Sequence, residues 1–182
     1  MGPPGYTGAS ELYDGSSWTN TGSLNVIKGG QGQGGTQTSS LAFGGYTGTA
    51  SASATESFDG STWTNLAPVV LGLARNSLQG TGASSSSAVA FGGDPQRSET
   101  EEYNFSSSTV TAGAWASGGA LNTGRYDLGA TGSQTAALAF GGSPTATGWT
   151  EKYNGTSWTA VNPMNSGRED LAGCGTQTAA LG

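Results

Sequence analysis

The sequence contains few side chains suited to catalysis, and the absence of histidine is the strongest restriction. None of the 182 residues is His, which removes Ser-His-Asp and Cys-His catalysis and the usual zinc sites. The single cysteine, Cys174, excludes an internal disulfide and a thiolate zinc cluster. It stands where two similar stretches of the chain have Thr81 and Thr131. We therefore expect Cys174 to be a small buried side chain, and we expect no catalytic residue, metal or cofactor.

Charged residues recur at regular intervals, an acidic residue and a basic residue once in each stretch of about fifty residues. The recurring residues are Glu11, Glu56, Glu101 and Glu151, and Lys28, Arg75, Arg125 and Arg168. A catalytic acid and base would break this regularity, so the pattern predicts ion pairs that join neighbouring structural units. If such pairs are exposed, each contributes only about 0 to 1 kcal/mol.

Large aromatic residues recur at a fixed offset. Trp18, Trp63 and Trp158 each follow an aromatic residue by five positions, and those partners are Tyr13, Phe58 and Tyr153. Recurrence at one position predicts packing between structural units, where a buried aromatic ring contributes about 2 to 3 kcal/mol. Trp115 follows Tyr103 by twelve positions and Trp149 has no such partner, so these two are the better candidates for ligand contact.

An internal repeat organises the chain. Leu41–Gly45 returns as Val89–Gly93 and as Leu138–Gly142, with spacings of 48 and 49 residues. Each repeat predicts four short strands: an inner strand rich in Gly, Thr, Gln and Ser, a second strand ending in Gly-Gly, a third with Glu-x-aromatic, and an outer strand with Trp. The Gly-Gly pairs are Gly44-Gly45, Gly92-Gly93 and Gly141-Gly142. The inner strand is expected at residues 35–38 and 132–135.

Hairpin signals separate the third strand from the outer strand. Asp14-Gly15, Asp59-Gly60 and Asn154-Gly155 supply the residues that adopt positive φ in tight turns. The third repeat has no such dipeptide, and the distance from Tyr103 to Trp115 implies a longer loop or bulge there. The repeat is therefore expected to fold as a twisted, four-stranded antiparallel sheet that must stack on its neighbours to be covered.

The set of Gly-Gly, Glu-x-Tyr and Trp markers resembles kelch repeats and the galactose-oxidase type of propeller, in the Ser/Thr/Gly-rich variety that phages and environmental bacteria encode. The resemblance spans essentially the whole chain and implies a β-propeller. Galactose-oxidase chemistry needs copper ligands that include histidine, so the resemblance does not carry that activity to this sequence.

Composition agrees with an all-β protein. Only 34% of the residues are apolar, Gly supplies 33, and no segment keeps the apolar spacing of an amphipathic helix. The net charge of −6, with six Lys and Arg, makes nucleic acid a poor partner. No apolar run approaches the roughly 20 residues of a membrane-spanning helix, and the first residues lack an export signal. A virion or an extracellular surface is the favoured location.

The phase of the repeat predicts how the sheets close. We expect one domain over residues 1–182, with blades at about 31–75, 76–125 and 126–168 and a fourth that joins 1–30 to 169–182. In a closed four-bladed ring, residues 10–20 pair with residues 172–181 of the same chain. Two alternatives remain open: two chains that exchange halves to form an eight-bladed ring, and a fragment of a longer repeat protein.

Recognition is expected in the loops between second and third strands, which vary most among the repeats: residues 51–54, 94–97 and 143–146. Asp94 and Arg97 in these loops are candidate ligand residues beside Trp115 and Trp149. The predicted function is a binding and assembly module without enzymatic activity, which recognises a glycan or a surface protein and could associate with itself. The alternatives are a purely structural subunit of a fibre or ring and, with less support, an enzyme with a site in the central channel.

Overall fold

The computed structural model describes residues 5–105 and 114–182, and this part of the chain consists of strands and loops. It contains no helix, and hence none long and apolar enough to cross a membrane. The all-β prediction is confirmed. In chain order the strands are β1 (Ser10–Tyr13), β2 (Trp18–Thr21), β3 (Gly32–Thr36), β4 (Ser39–Phe43), β5 (Ala54–Phe58), β6 (Trp63–Val70), β7 (Gln79–Ser84), β8 (Ser87–Phe91), β9 (Thr100–Asn104), β10 (Ala114–Gly118), β11 (Gly129–Ser133), β12 (Ala136–Phe140), β13 (Thr150–Tyr153), β14 (Trp158–Val161), β15 (Cys174–Thr176) and β16 (Ala179–Leu181).

The strands form three four-stranded antiparallel sheets and two hairpins. Sheet I has the order β3-β4-β5-β6, sheet II β7-β8-β9-β10, and sheet III β11-β12-β13-β14. β1 and β2 form the N-terminal hairpin, and β15 and β16 form the C-terminal hairpin. The predicted unit of inner, second, third and outer strand is therefore confirmed for each of the three sheets.

The second strand of each sheet is covered on both faces, which explains its run of apolar residues. Phe43 and Phe91 at the ends of β4 and β8 are fully buried. The following Gly-Gly pair turns the chain at positive φ, with Gly44 at 67° and Gly45 at 103°. Gly45 also donates its N–H to the carbonyl of Arg75 at 2.9 Å, and a side chain at this conformation would be strained.

The inner strands begin and end earlier than the sequence predicts. Residues 132–135 were expected to form an inner strand, but β11 ends at Ser133 and the next two residues form the turn to β12. The reason is the glutamine, whose amide reaches sideways to the preceding sheet. Gln134 Nε2 donates to the carbonyl of Tyr103 at 3.1 Å, and Gln37 in the equivalent turn of sheet I donates to the carbonyl of Tyr13 at 2.7 Å.

The hairpin turns follow the sequence prediction. Asp59 Oδ1 accepts the N–H groups of Ser61 at 2.9 Å and Thr62 at 2.8 Å, and Gly60 takes a φ of 102°. Asn154 accepts the corresponding N–H groups in sheet III. The longer loop expected between Tyr103 and Trp115 falls on residues 106–113, outside the described residues.

The sheets stand side by side, so that their inner strands are neighbours in chain order. β3 lies beside β7, β7 beside β11, and β11 beside β15. Together these strands line a cavity of about 410 Å³ whose walls are backbone and small or polar side chains. Two apolar clusters fill the spaces between sheets, one centred on Phe43 and Tyr103 and the other on Phe91 and Trp158. The small inner residues thus allow the inner strands of neighbouring sheets to approach one another closely.

The two hairpins at the ends of the described chain are not paired with each other. β16 bonds only to β15, and β1 bonds only to β2. The expected pairing of residues 10–20 with residues 172–181 is thus not formed within residues 5–105 and 114–182. Each hairpin instead packs on the sheet nearest to it in sequence. Gln177 of the C-terminal hairpin donates to the carbonyl of Tyr153 in sheet III at 2.6 Å.

Candidate functional site

The loops that vary among the repeats meet at one end of the sheets. Because neighbouring strands are antiparallel, the second-to-third loop and the connection from an outer strand to the next inner strand reach the same end. Backbone bridges join the two kinds of loop, Asn76 to Asp94 and Tyr126 to Ser143. We call this end the loop face. It holds Asp94, Arg97 and Trp149 from the set of predicted ligand residues.

Buried ion pairs hold the loop face in place. The Arg75 guanidinium lies 3.0 Å from the Glu101 carboxylate, and the Arg125 guanidinium lies 2.6 Å from that of Glu151. The Arg125 backbone is bonded to sheet II through the N–H of Gly93, while its side chain reaches into sheet III. The prediction that these pairs join neighbouring units is confirmed.

These pairs are buried, so the small contribution expected of exposed ion pairs does not apply to them. The Arg75 and Arg125 side chains have no exposed surface, and Lys28 pairs with Glu56 at 3.7 Å with both side chains covered. Burial lowers the pKa of Lys28 below its ordinary value, and the charge of Glu56 opposes that change. Arg125 is stabilised further because it donates to the carbonyls of Trp149 at 2.8 Å and Gly141 at 3.1 Å.

An asparagine that was not predicted from the sequence completes two of these sites. The backbone N–H and the side-chain amide of Asn122 both donate to Glu151 Oε2, at 2.9 and 2.6 Å. Asn25 does the same to Glu56, at 2.7 and 3.0 Å. Both residues lie three positions before the basic residue, and Asn165 has that spacing from Arg168. That recurring spacing was the available signal.

Trp149 is the most exposed aromatic residue on the loop face. Its side chain is 52% exposed and borders a groove of about 250 Å³ whose other walls include Asn122, Thr123, Val161 and Pro163. Its backbone is fixed, because the carbonyl accepts a bond from Arg125 and the N–H donates to Thr147 at 2.9 Å. A flat ring beside polar amide and hydroxyl groups suits a sugar or an extended peptide.

Asp94 and Arg97 lie on the loop of sheet II at the same face. The Asp94 N–H donates to the carbonyl of Asn76 at 2.7 Å, and the side chain is exposed. Arg97 forms a partly exposed ion pair with Glu99 at 3.7 Å. Both charges are held by ordered backbone and are open to solvent.

Trp115 was predicted to be a ligand residue, but it does not lie on the loop face. Its ring packs against Phe43 at 4.9 Å and Tyr103 at 5.4 Å, and its indole N–H donates to Thr55 at 3.1 Å. Trp158 makes the same contacts one sheet later, with Phe91 at 4.7 Å and Thr100 at 2.9 Å. Trp115 is thus equivalent to Trp158, and its longer spacing from Tyr103 hides this because the extra residues come between β9 and β10 in the sequence.

Two other expectations about burial fail at the ends of the described chain. Trp18 was expected to pack between units but is 67% exposed. Cys174 was expected to be buried but is exposed. In both cases the hairpin that carries the residue packs on the sheet next to it in sequence, and no second sheet of the described residues covers its other side.

Among the described residues that line the cavity between the inner strands, none is Asp or Glu. Its lining includes Gln33, Thr36, Thr81 and Thr131, with several glycines. Across the two described ranges, no cluster of three or more Asp, Glu, His or Cys side chains could hold a metal ion.

Comparison with known proteins adds no family to these observations. The chain matches no protein-family model, and it matches no curated protein sequence.

Proposed function

We propose that the chain is a binding and assembly module without enzymatic activity, built as a kelch-like β-propeller. In this proposal sheets I, II and III are blades, and the two hairpins are the halves of a fourth. The repeated contact between sheets supports it. Trp115 bonds to Thr55 and Trp158 bonds to Thr100, so one geometry recurs from sheet to sheet, as radial repetition requires.

The loop face is the proposed recognition surface, and the exposed ring of Trp149 is the observation that carries this. Its surroundings are rigid, because buried ion pairs and backbone bridges fix the loops from both sides. Variable loops on a rigid frame are a common arrangement for recognition. A glycan that stacks on the ring and bonds to Asn122 or Thr123 is the proposed ligand, with a surface protein as the other candidate. A virion or cell surface suits this role.

The test is a glycan array and a pull-down with the whole chain, followed by variants. Trp149→Ala should reduce binding at least tenfold, because stacking on an aromatic ring is lost. The matched control is Phe105→Ala, since Phe105 is 46% exposed but lies at the opposite end of sheet II. A blank array and a blank pull-down at high protein concentration would contradict the proposal, as would equal losses in the two variants.

Self-assembly is the second proposed role, and the unpaired hairpins favour it. Both β1 and β16 have one edge without a strand neighbour in the described chain, and such edges bind further strands readily. Electron microscopy that shows only single-chain particles at every concentration would remove this role and leave the recognition role unaffected.

A further inference from the structure

A groove lies between the N-terminal hairpin and sheet I. At the equivalent interface between sheets I and II, the corresponding space is filled by a strand. We call the groove the terminal groove. It has a volume of about 330 Å³ and is lined by Ser10, Leu12, Gln33, Phe58 and Trp63, among others. At the interface of sheets I and II, β4 fills the corresponding space and Phe43 contacts Trp115. The terminal groove therefore has the shape that a second strand would occupy beside β1.

The N-terminal hairpin already occupies its place in the repeating arrangement. Trp63 donates its indole N–H to Ser10 at 3.0 Å, as Trp115 does to Thr55 and Trp158 does to Thr100. Gln37 bonds to the carbonyl of Tyr13 at 2.7 Å. Hence β1 and β2 take the positions of the third and outer strands, and within the described residues no inner or second strand pairs with them.

The C-terminal hairpin carries the complementary half. Thr131 donates to the carbonyl of Gly175 at 2.7 Å, which repeats the bond from Thr81 to the carbonyl of Gly132. β15 and β16 therefore take the positions of the inner and second strands, and among the described residues no third or outer strand pairs with them.

One ion pair of the repeating set is divided between the two halves. Arg168 has the backbone bonds of Arg125, because its carbonyl accepts the N–H of Gly142 at 2.8 Å. Its side chain is exposed, and so is that of Glu11, whereas Arg125 and Glu151 are buried. Neither Arg168 nor Glu11 forms an ion pair within the described residues. Together with Asn165, they are the unassembled parts of a fourth pair.

We propose that the terminal groove binds the β15–β16 hairpin of a second copy of this chain. The register follows from the intact sheets, where Ala88 lies opposite Tyr103 and Leu138 lies opposite Lys152. It places Ala180 of one copy opposite Tyr13 of the other, and Leu181 opposite Leu12. Glu11 then meets Arg168 across the joint.

A second copy is the occupant because each hairpin is already fixed to its own sheet. Within the described residues the two hairpins of one chain do not pair with each other, although they carry complementary halves of a sheet. Two copies related by a two-fold axis join groove to hairpin twice, so the assembly closes. The inference deepens the assembly part of the proposed function and does not depend on glycan binding.

Charge reversal tests the proposal. The wild-type chain should show a mass twice that of one 18.0 kDa chain in light scattering at high concentration. The Glu11→Arg variant and the Arg168→Glu variant should each exist as single chains. In either variant, both contacts between residue 11 of one copy and residue 168 of the other would bring like charges together. An equimolar mixture of the two variants should recover the doubled mass, since one joint has both charges reversed and the other has both native.

The control and a variant-free measurement complete the test. Arg97→Glu makes the same charge change on an exposed loop and should leave the doubled mass unchanged. Hydrogen exchange of the wild-type chain should show β1 and β16 amides that become protected as concentration rises. A wild-type mass of one chain at every concentration would overturn the proposal. A mixture of the two variants that stays dissociated would also overturn it. Protection of the β1 and β16 amides that does not depend on concentration would do the same, because that result is expected if one chain closes on itself or a different partner fills the groove.

Discussion

At the scale of single residues, the molecule relies on buried charges in a chain with little apolar material. Glu151 receives Arg125 and both donors of Asn122, so every bond to this carboxylate comes from the connection that enters sheet III. Glu101 is bonded in the same way by Arg75 and the N–H of Gly72 at 2.7 Å. A buried ion pair is a weak source of net stability, but loss of one partner leaves an uncompensated charge. The pairs therefore fix the connections between sheets.

Glu151→Gln tests this reading. The substitution keeps the size of the side chain but leaves the Arg125 charge buried without its partner. We expect the free energy of unfolding to fall by about 3 to 5 kcal/mol, measured by urea denaturation with tryptophan fluorescence. Glu99→Gln is the control, because the Arg97–Glu99 pair is partly exposed, and it should cost less than about 1 kcal/mol. Equal losses would contradict the role of burial.

The hairpin turns give a pH-dependent prediction. Bonds from the backbone N–H groups of Thr62 and Ser61 lower the pKa of Asp59 from 3.8 to about 2. A lowered folded pKa means that the turn's contribution is complete above pH 3.8 and is lost as the pH falls through about 2. An NMR titration of the Asp59 carboxyl should give a midpoint near the lower value.

Asp59→Asn is the matched variant, because Asn154 caps the equivalent turn without a charge. It should keep the hairpin and remove this part of the pH dependence. A carboxyl midpoint near 3.8 in the wild-type chain would show that the turn is not formed in solution.

At the scale of elements, the sequence specifies the sheets better than it specifies their ends. The Gly-Gly and Glu markers locate all three four-stranded sheets and the Trp marker locates sheets I and III, because each marker has a physical cause: a positive φ, a buried ion pair or an aromatic contact. The inner-strand boundaries fail because Gln134 bonds across to another sheet, which no local pattern reveals. The exposure of Trp149 is suggested by its irregular spacing, whereas the same argument misplaces Trp115. What covers Trp18 and Cys174 depends on a neighbour that sequence alone does not supply.

Trp158 of sheet III and Trp18 of the N-terminal hairpin occupy equivalent positions, so the same substitution can be compared at a buried and at an exposed site. Trp158→Phe removes the bond to Thr100, which is 2% exposed, and leaves that hydroxyl without its donor. We expect a loss of about 2 to 3 kcal/mol in the free energy of unfolding. Trp18→Phe, measured in dilute solution, should cost less than about 0.5 kcal/mol, because Trp18 has no sheet over it. A similar cost for both would indicate that Trp18 is covered even in the single chain.

At the scale of the whole molecule, the two terminal hairpins differ. The N-terminal hairpin corresponds to the third and outer strands of a four-stranded sheet, and the C-terminal hairpin corresponds to the inner and second strands. Sheets I, II and III each have four strands, and within the described residues only the two terminal hairpins have two. Repeat proteins need such ends to be capped or joined. Here the exposed Trp18, Glu11, Arg168 and Cys174 all lie on surfaces that are interior elsewhere in the repeat.

Cys174 offers a direct measure of whether those surfaces are covered. It is the single cysteine of the chain, and it is exposed on β15, where Thr131 of β11 is covered by the next inner strand. Its reaction with a thiol reagent should slow at least tenfold as protein concentration rises, because docking of β15 into the terminal groove of a second copy covers the sulfur. The Arg168→Glu variant should react at the fast rate at every concentration. A labelling rate independent of concentration in the wild-type chain would show that the hairpin stays open.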